Sequence, residues 1–112
     1  MSRNALLIDY EYCCGCHTCE VACQKEHGWE PETWGIKVNQ LGPFRYEDLG
    51  VVVYDYLPEP SDLCDLCGER VSKGELPTCV KHCQTACMAF GTVEELARRL
   101  EKKSKQVLFV PR

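Results

Sequence analysis

The stretch that decides the reading is Cys13-Cys14-Gly15-Cys16-His17-Thr18-Cys19-Glu20-Val21-Ala22-Cys23. With Cys14 set aside, its cysteines are spaced C-x2-C-x2-C-x3-C. One tight loop can wrap three thiols so spaced around three corners of a tetrahedral object several ångströms across. The fourth thiol then starts or lies on a helix that points away. Working outward, a second run appears as Cys64-Asp65-Leu66-Cys67, eleven residues, then Cys79-Val80-Lys81-His82-Cys83. Its spacing is C-x2-C-x11-C-x3-C, and the long gap at 68–78 contains Gly74 and Pro77.

The first run is the ligand pattern of bacterial two-cluster ferredoxins, in which the fourth cysteine ligates the other [4Fe–4S] cluster. That rule, applied to both runs, gives one cluster on Cys13, Cys16, Cys19 and Cys83. The second falls to Cys64, Cys67, Cys79 and Cys23. Eight ligands are needed and eight are found. The expected cofactors are two [4Fe–4S] clusters, and the expected role is outer-sphere relay of single electrons. No paired carboxylate, nucleotide loop or catalytic triad stands out, so no substrate chemistry is expected in this chain.

Composition agrees. Ten of 112 residues are cysteine, a density that marks a disulfide scaffold or a metal protein. The hydrophobic fraction of 45% includes those cysteines, which leaves a thin aliphatic core. Small domains of this kind lean on metals or disulfides to stay folded. The opening Met1-Ser2-Arg3-Asn4-Ala5-Leu6-Leu7-Ile8-Asp9 has too short an apolar run for a signal-peptide core. No stretch is long enough to span a membrane. A cytoplasmic location is expected, where clustered cysteines bind metal rather than one another. Export in a folded complex with a partner would leave no mark here. The formal charge is −4, and two cubanes on thiolates would add about −4 more. Such an acidic protein is a poor nucleic-acid partner and suits docking on a basic patch of a redox enzyme.

The chain reads as α+β and as a single domain over 1–112. A strand is expected at 5–8, then the cysteine loop, then a helix at 19–27 ended by Gly28. Two strands, 36–41 and 51–57, form a central hairpin with a long turn around Gly42-Pro43 and Gly50. Pro58-Glu59-Pro60-Ser61-Asp62 is expected to stop regular structure. A short strand follows at 88–91. Thr92 and Glu95 form a capping box for a helix whose Val93, Leu96, Ala97 and Leu100 share a face. A last strand is expected at 107–110. Strand, cysteine loop and helix thus recur near both ends, a hint of a pseudo-repeat.

The two motifs resemble the iron–sulfur subunits of the dimethyl sulfoxide reductase family of molybdopterin enzymes. Those subunits carry four cysteine groups. Cys13 to Cys23 resembles the first. Cys64-Asp65-Leu66-Cys67-Gly68-Glu69-Arg70-Val71, Cys79 to Cys83 and Ala89-Phe90-Gly91 resemble the fourth. The middle two groups are absent, and the resemblance covers about half the chain. It implies a ferredoxin-like two-cluster fold, with the C-terminal helix and strand as additions. It also implies a catalytic redox subunit as partner, of the molybdenum- or tungsten-pterin class. The family has proline after the last cysteine, where this chain has Gln84, and Cys14 and Cys87 are extra.

Other readings stand beside this one. Cys64/Cys67 with Cys79/Cys83 could make a zinc site in an interaction module, but the close triplet Cys13/Cys16/Cys19 suits zinc badly. Within electron transfer, the alternative is a free, diffusible ferredoxin. Cys14 and Cys87 are read as non-ligands, although Cys87 could compete if the loop slipped. His17 either tunes a cluster or is plain loop surface, and His27 and His82 have no constellation. Trp29 and Trp34 are read as core or cluster cover. The tyrosines Tyr10, Tyr12, Tyr54 and Tyr56 should pack the sheet. Arg98, Arg99, Lys102, Lys103 and Lys105 should form a solvated face.

Overall fold

A computed structural model describes residues 3–111. Strand β1 (Asn4–Asp9) lies at the centre of a three-stranded antiparallel sheet. It pairs with β4 (Met88–Thr92) on one side and with β5 (Gln106–Phe109) on the other. The apolar run Ala5-Leu6-Leu7-Ile8 is buried throughout, because this strand is covered on both faces. Alternation sorts its side chains. Leu6 and Ile8 face a core that contains Cys19, Cys23, Cys79, Cys87 and Met88. Ala5 and Leu7 face Leu96 of helix α4 (Val93–Leu100), with Val93 and Leu100 beside it. The C-terminal strand is therefore part of the sheet, with Phe109 packed on the cysteine side, and α4 covers the opposite face of β1.

Helix α1 (Thr18–His27) follows the first cysteine loop and ends at Gly28 in the left-handed conformation, φ 65°. Two five-residue helices, α2 (Gly68–Ser72) and α3 (Thr78–His82), occupy the second cysteine segment. Helix α1 packs against α3 and against β2. The Thr92 hydroxyl caps α4 by accepting from Glu95 N–H at 3.2 Å, as the capping-box pattern predicts.

The hairpin is longer than its sequence pattern suggests. Strand β2 (Ile36–Tyr46) runs through Gly42-Pro43, which forms an irregularity between Leu41 and Phe44 and not the turn. The turn is a short 3-10 segment at Glu47–Leu49, closed by Gly50. Strand β3 (Val51–Pro60) continues through both prolines, with Pro58 opposite Val38 and Pro60 opposite Ile36. The prolines do not break the strand because of where their nitrogens point. Ser61 N–H donates to Gly35 C=O at 2.9 Å, so positions of the other parity face the open edge of this two-stranded sheet, where no donor is required. The outer hairpin is bare: Phe44, Tyr46, Leu49, Val51 and Val52 are all exposed. It gives the molecule its long axis, 51 × 34 × 23 Å.

The tyrosines divide. Tyr10 and Tyr56 pack against the core, whereas Tyr12 and Tyr54 are exposed. The C-terminal cations are not simply a solvated face either. Lys103 Nζ reaches Asp9 and Glu11, each at 2.9 Å, and Lys105 reaches Asp55 at 3.1 Å. These contacts tie the C-terminal end to the first cysteine loop and to the hairpin.

Candidate functional site

Left-handed residues wind the two cysteine loops. In the first, Gly15 (φ 74°) and His17 (φ 62°) reverse the backbone, and the Tyr56 ring covers Gly15. In the second, Leu66 (φ 59°) and Cys67 (φ 51°) do the same, helped by Cys67 N–H donating to Asp65 Oδ1 at 3.0 Å. Cys19 and Cys23 are both buried on α1, one turn apart. The helix therefore delivers one thiol toward each loop.

The fold brings cysteines of the two motifs together: Cys79 has Cys67, Cys19, Cys64 and Cys23 as neighbours. Cys83 lies within electrostatic reach of Cys13, Cys16 and Cys19. Cys23, Cys64, Cys67 and Cys79 line one pocket, walled by Leu6 and Ile36. Burial dominates most of these thiols. It pushes Cys19 up to about 12, aided by the neighbouring Glu20, Cys13 and Cys83 charges. It pushes Cys23 up to about 12 as well, aided by Cys67 and Cys64. Burial also raises Cys13, Cys67 and Cys79. Two thiols move the other way. The Thr18 hydroxyl and N–H lower Cys16. Burial raises Cys83, but hydrogen bonds from Cys87 N–H and from the Thr85 and Cys87 side chains outweigh it. A cation bound by these sulfurs as thiolates displaces their protons, and thiolates in fours are a donor set for iron–sulfur clusters. Among the described residues, no three His, Cys, Asp or Glu side chains gather closely enough for a single metal ion.

Three neighbours of the thiols bear on the site. His27 Nε2 stands 3.6 Å from Cys67 Sγ, its ring stacked on Trp29 at 4.7 Å. Glu20 is 4% exposed, and its carboxylate accepts from Val38 N–H at 2.6 Å and meets His17 Nδ1 at 2.9 Å. Cys87 is 4% exposed, with its sulfur 3.5 Å from that of Cys83. Only Cys87 carries a local signal, its C-x3-C spacing from Cys83. The other two depend on contacts across the fold. Cys14 is exposed. Cys16 is also exposed, and with His17, Lys25, Glu26, Arg70 and His82 it borders an open recess. Trp34 lies under Lys37 Nζ, 3.9 Å from its ring centre.

Thiols of both motifs gathered on a small α+β frame suit an iron–sulfur protein, and comparison with known proteins agrees. The profile of the 4Fe-4S dicluster domain family matches residues 43–93. The B subunit of anaerobic dimethyl sulfoxide reductase from Escherichia coli K12 is 26% identical over 94 residues, 84% of this chain and 34% of its own. Hydrogenase-2 operon protein HybA of Escherichia coli O157:H7 is 33% identical over 101 residues, 85% of this chain and 24% of its own. Formate dehydrogenase 2 subunit beta (cytochrome c-553) of Nitratidesulfovibrio vulgaris is 50% identical over 40 residues, 36% of this chain and 18% of its own. The match thus spans about a third or less of the length of these relatives. The chain resembles iron–sulfur subunits of the dimethyl sulfoxide reductase type, and its cofactors are [4Fe–4S] clusters.

Proposed function

We propose that this chain is a single-domain, ferredoxin-like electron-transfer subunit, without substrate chemistry of its own. It relays single electrons to or from a catalytic redox subunit of the molybdenum- or tungsten-pterin class. Cys13, Cys16, Cys19 and Cys83 hold the first cluster, and Cys64, Cys67, Cys79 and Cys23 hold the second. The observation that carries the reading lies on α1, where Cys19 has Cys13 and Cys83 as neighbours and Cys23, one turn on, has Cys67 and Cys64. A bound [4Fe–4S] cluster supplies one-electron chemistry whose potential follows from net charge, burial and hydrogen bonds to sulfur.

The chain's own residues set those terms. The second group is enclosed by Leu6 and Ile36 and therefore dry. His27 offers Cys67 a hydrogen bond, and the Thr18 and Thr85 hydroxyls offer theirs to Cys16 and Cys83. The exposed Cys16 makes the first group the point of electron entry or exit. The relatives named as a reductase B subunit or a dehydrogenase beta subunit support a catalytic partner.

Iron, acid-labile sulfide and zinc per chain, with an absorption spectrum, test the reading on anaerobically purified protein. About eight iron and eight sulfide, with broad absorption bleached on reduction, is the expected result. Stoichiometric zinc in a colourless sample overturns it. Gel filtration of a native extract tests the partner: co-elution with a large redox subunit is expected, and a solitary monomer makes the chain a diffusible ferredoxin.

A further inference from the structure

Cys87 is a buried thiol that the eight-ligand assignment does not use. Its sulfur lies 3.5 Å from Cys83 Sγ, and Cys13 is close enough for its charge to be felt at Cys87. The backbone builds this proximity. Ala86 N–H donates to Cys83 C=O at 3.3 Å, and Ala86 takes the left-handed conformation, φ 54°. The resulting turn folds Cys87 back over Cys83. Cys87 C=O then accepts from Asp9 N–H at 2.7 Å, which pins this residue to β1. Cys83 is less firmly held: it leaves α3 in an extended conformation and is followed by the exposed Gln84, Thr85 and Ala86. With Gln84 in place of a proline, position 84 keeps its backbone N–H and is not held by a ring.

We propose that Cys87 is a reserve ligand of the first cluster, able to take the place of Cys83 on iron. The inference rests on the two-cluster reading given above. The exchange is a ligand substitution and balances without an oxidant or reductant. The Cys87 thiol loses its proton as its sulfur binds iron, and the departing Cys83 sulfur takes up that proton. The charge on the site is unchanged. What changes is the point of attachment, from the exposed exit of α3 to a residue anchored on the central strand.

The test uses the full chain, purified anaerobically, as wild type and as Cys83→Ala, Cys87→Ala, Cys16→Ala and the double variant Cys83→Ala/Cys87→Ala. Iron and sulfide per chain are measured, together with the electron paramagnetic resonance spectrum after reduction. Cys83→Ala and Cys87→Ala should each keep the wild-type iron content. Cys16→Ala, whose neighbouring spare thiol is the exposed Cys14 and not a buried one, and the double variant should fall to between about four and seven iron per chain. The first cluster's signal should shift in Cys83→Ala and stay in place in Cys87→Ala. A Cys83→Ala chain that loses as much iron as the double variant, or that fails to fold while Cys87→Ala folds, overturns the proposal and leaves two clusters in the wild type. Loss of iron in Cys87→Ala alone also overturns it, since Cys87 would then be a primary ligand. Wild type without cubane iron would sink the underlying reading instead.

Discussion

Gly35 has no space for a methyl group. A β-carbon there would stand 2.6 Å from Cys23 Sγ and 2.7 Å from the Trp29 ring. Gly35→Ala should therefore displace the Cys23 thiol and lower iron at the second site, so that iron per chain falls toward about four; full occupancy would show that the loop yields. Glu20 poses a different problem, since it is buried yet polar. Its carboxylate satisfies Val38 N–H, and Lys37 Nζ sits 3.7 Å away. Glu20→Ala leaves that buried N–H without a partner and should cost about 1–3 kcal/mol, read from urea denaturation. Neither residue is legible in the sequence. Gly35 reads as one more loop glycine, and Glu20 as a surface helix residue. Their roles come from a helix meeting a strand 18 positions later.

Elements with a strong period or a strong stop are legible. Strand β1 reads from its apolar run, α1 from Gly28, and α4 from its capping box. Thr92→Ala tests that cap and should cost about 1 kcal/mol, seen as a lower thermal midpoint. Helices α2 and α3 leave no trace in the sequence because five residues show no helical period. The hairpin's length is hidden because glycine and proline read as stops, whereas the strand tolerates them at a bulge and on an open edge. The cysteine spacing is legible independently of the elements around it, because it carries geometry that does not depend on where a helix begins.

At the scale of the molecule, five of the thirteen buried apolar residues among those described are cysteines. In the proposed assignment the first cluster joins Cys13 to Cys83 and the second joins Cys23 to Cys64, so each closes a long stretch of sequence. Closing such loops removes several kcal/mol of unfolded-state entropy, about 4 kcal/mol in the disulfide analogy. Stripping iron with a chelator should therefore remove cooperative unfolding. A circular-dichroism melt checks this, and an iron-free chain that melts at the holoprotein's temperature would count against it. The exposed outer hairpin belongs to this scale too. Two strands alone are marginal in water, so its bare apolar faces gain most from being covered. Phe44→Ser with Val52→Ser should leave iron content unchanged and weaken co-elution with the catalytic subunit.

Helix α1 has a consequence for how the length of the chain can vary. One inserted residue between Cys19 and Cys23 would swing the second thiol by about 100° and advance it by about 1.5 Å, off its own group. Residues added at the Glu47–Leu49 turn, or near the exposed Gly74, would lengthen a loop and move no sulfur. Three residues of helix are thus a fixed gauge, while the hairpin tip and the 68–78 excursion are free to grow.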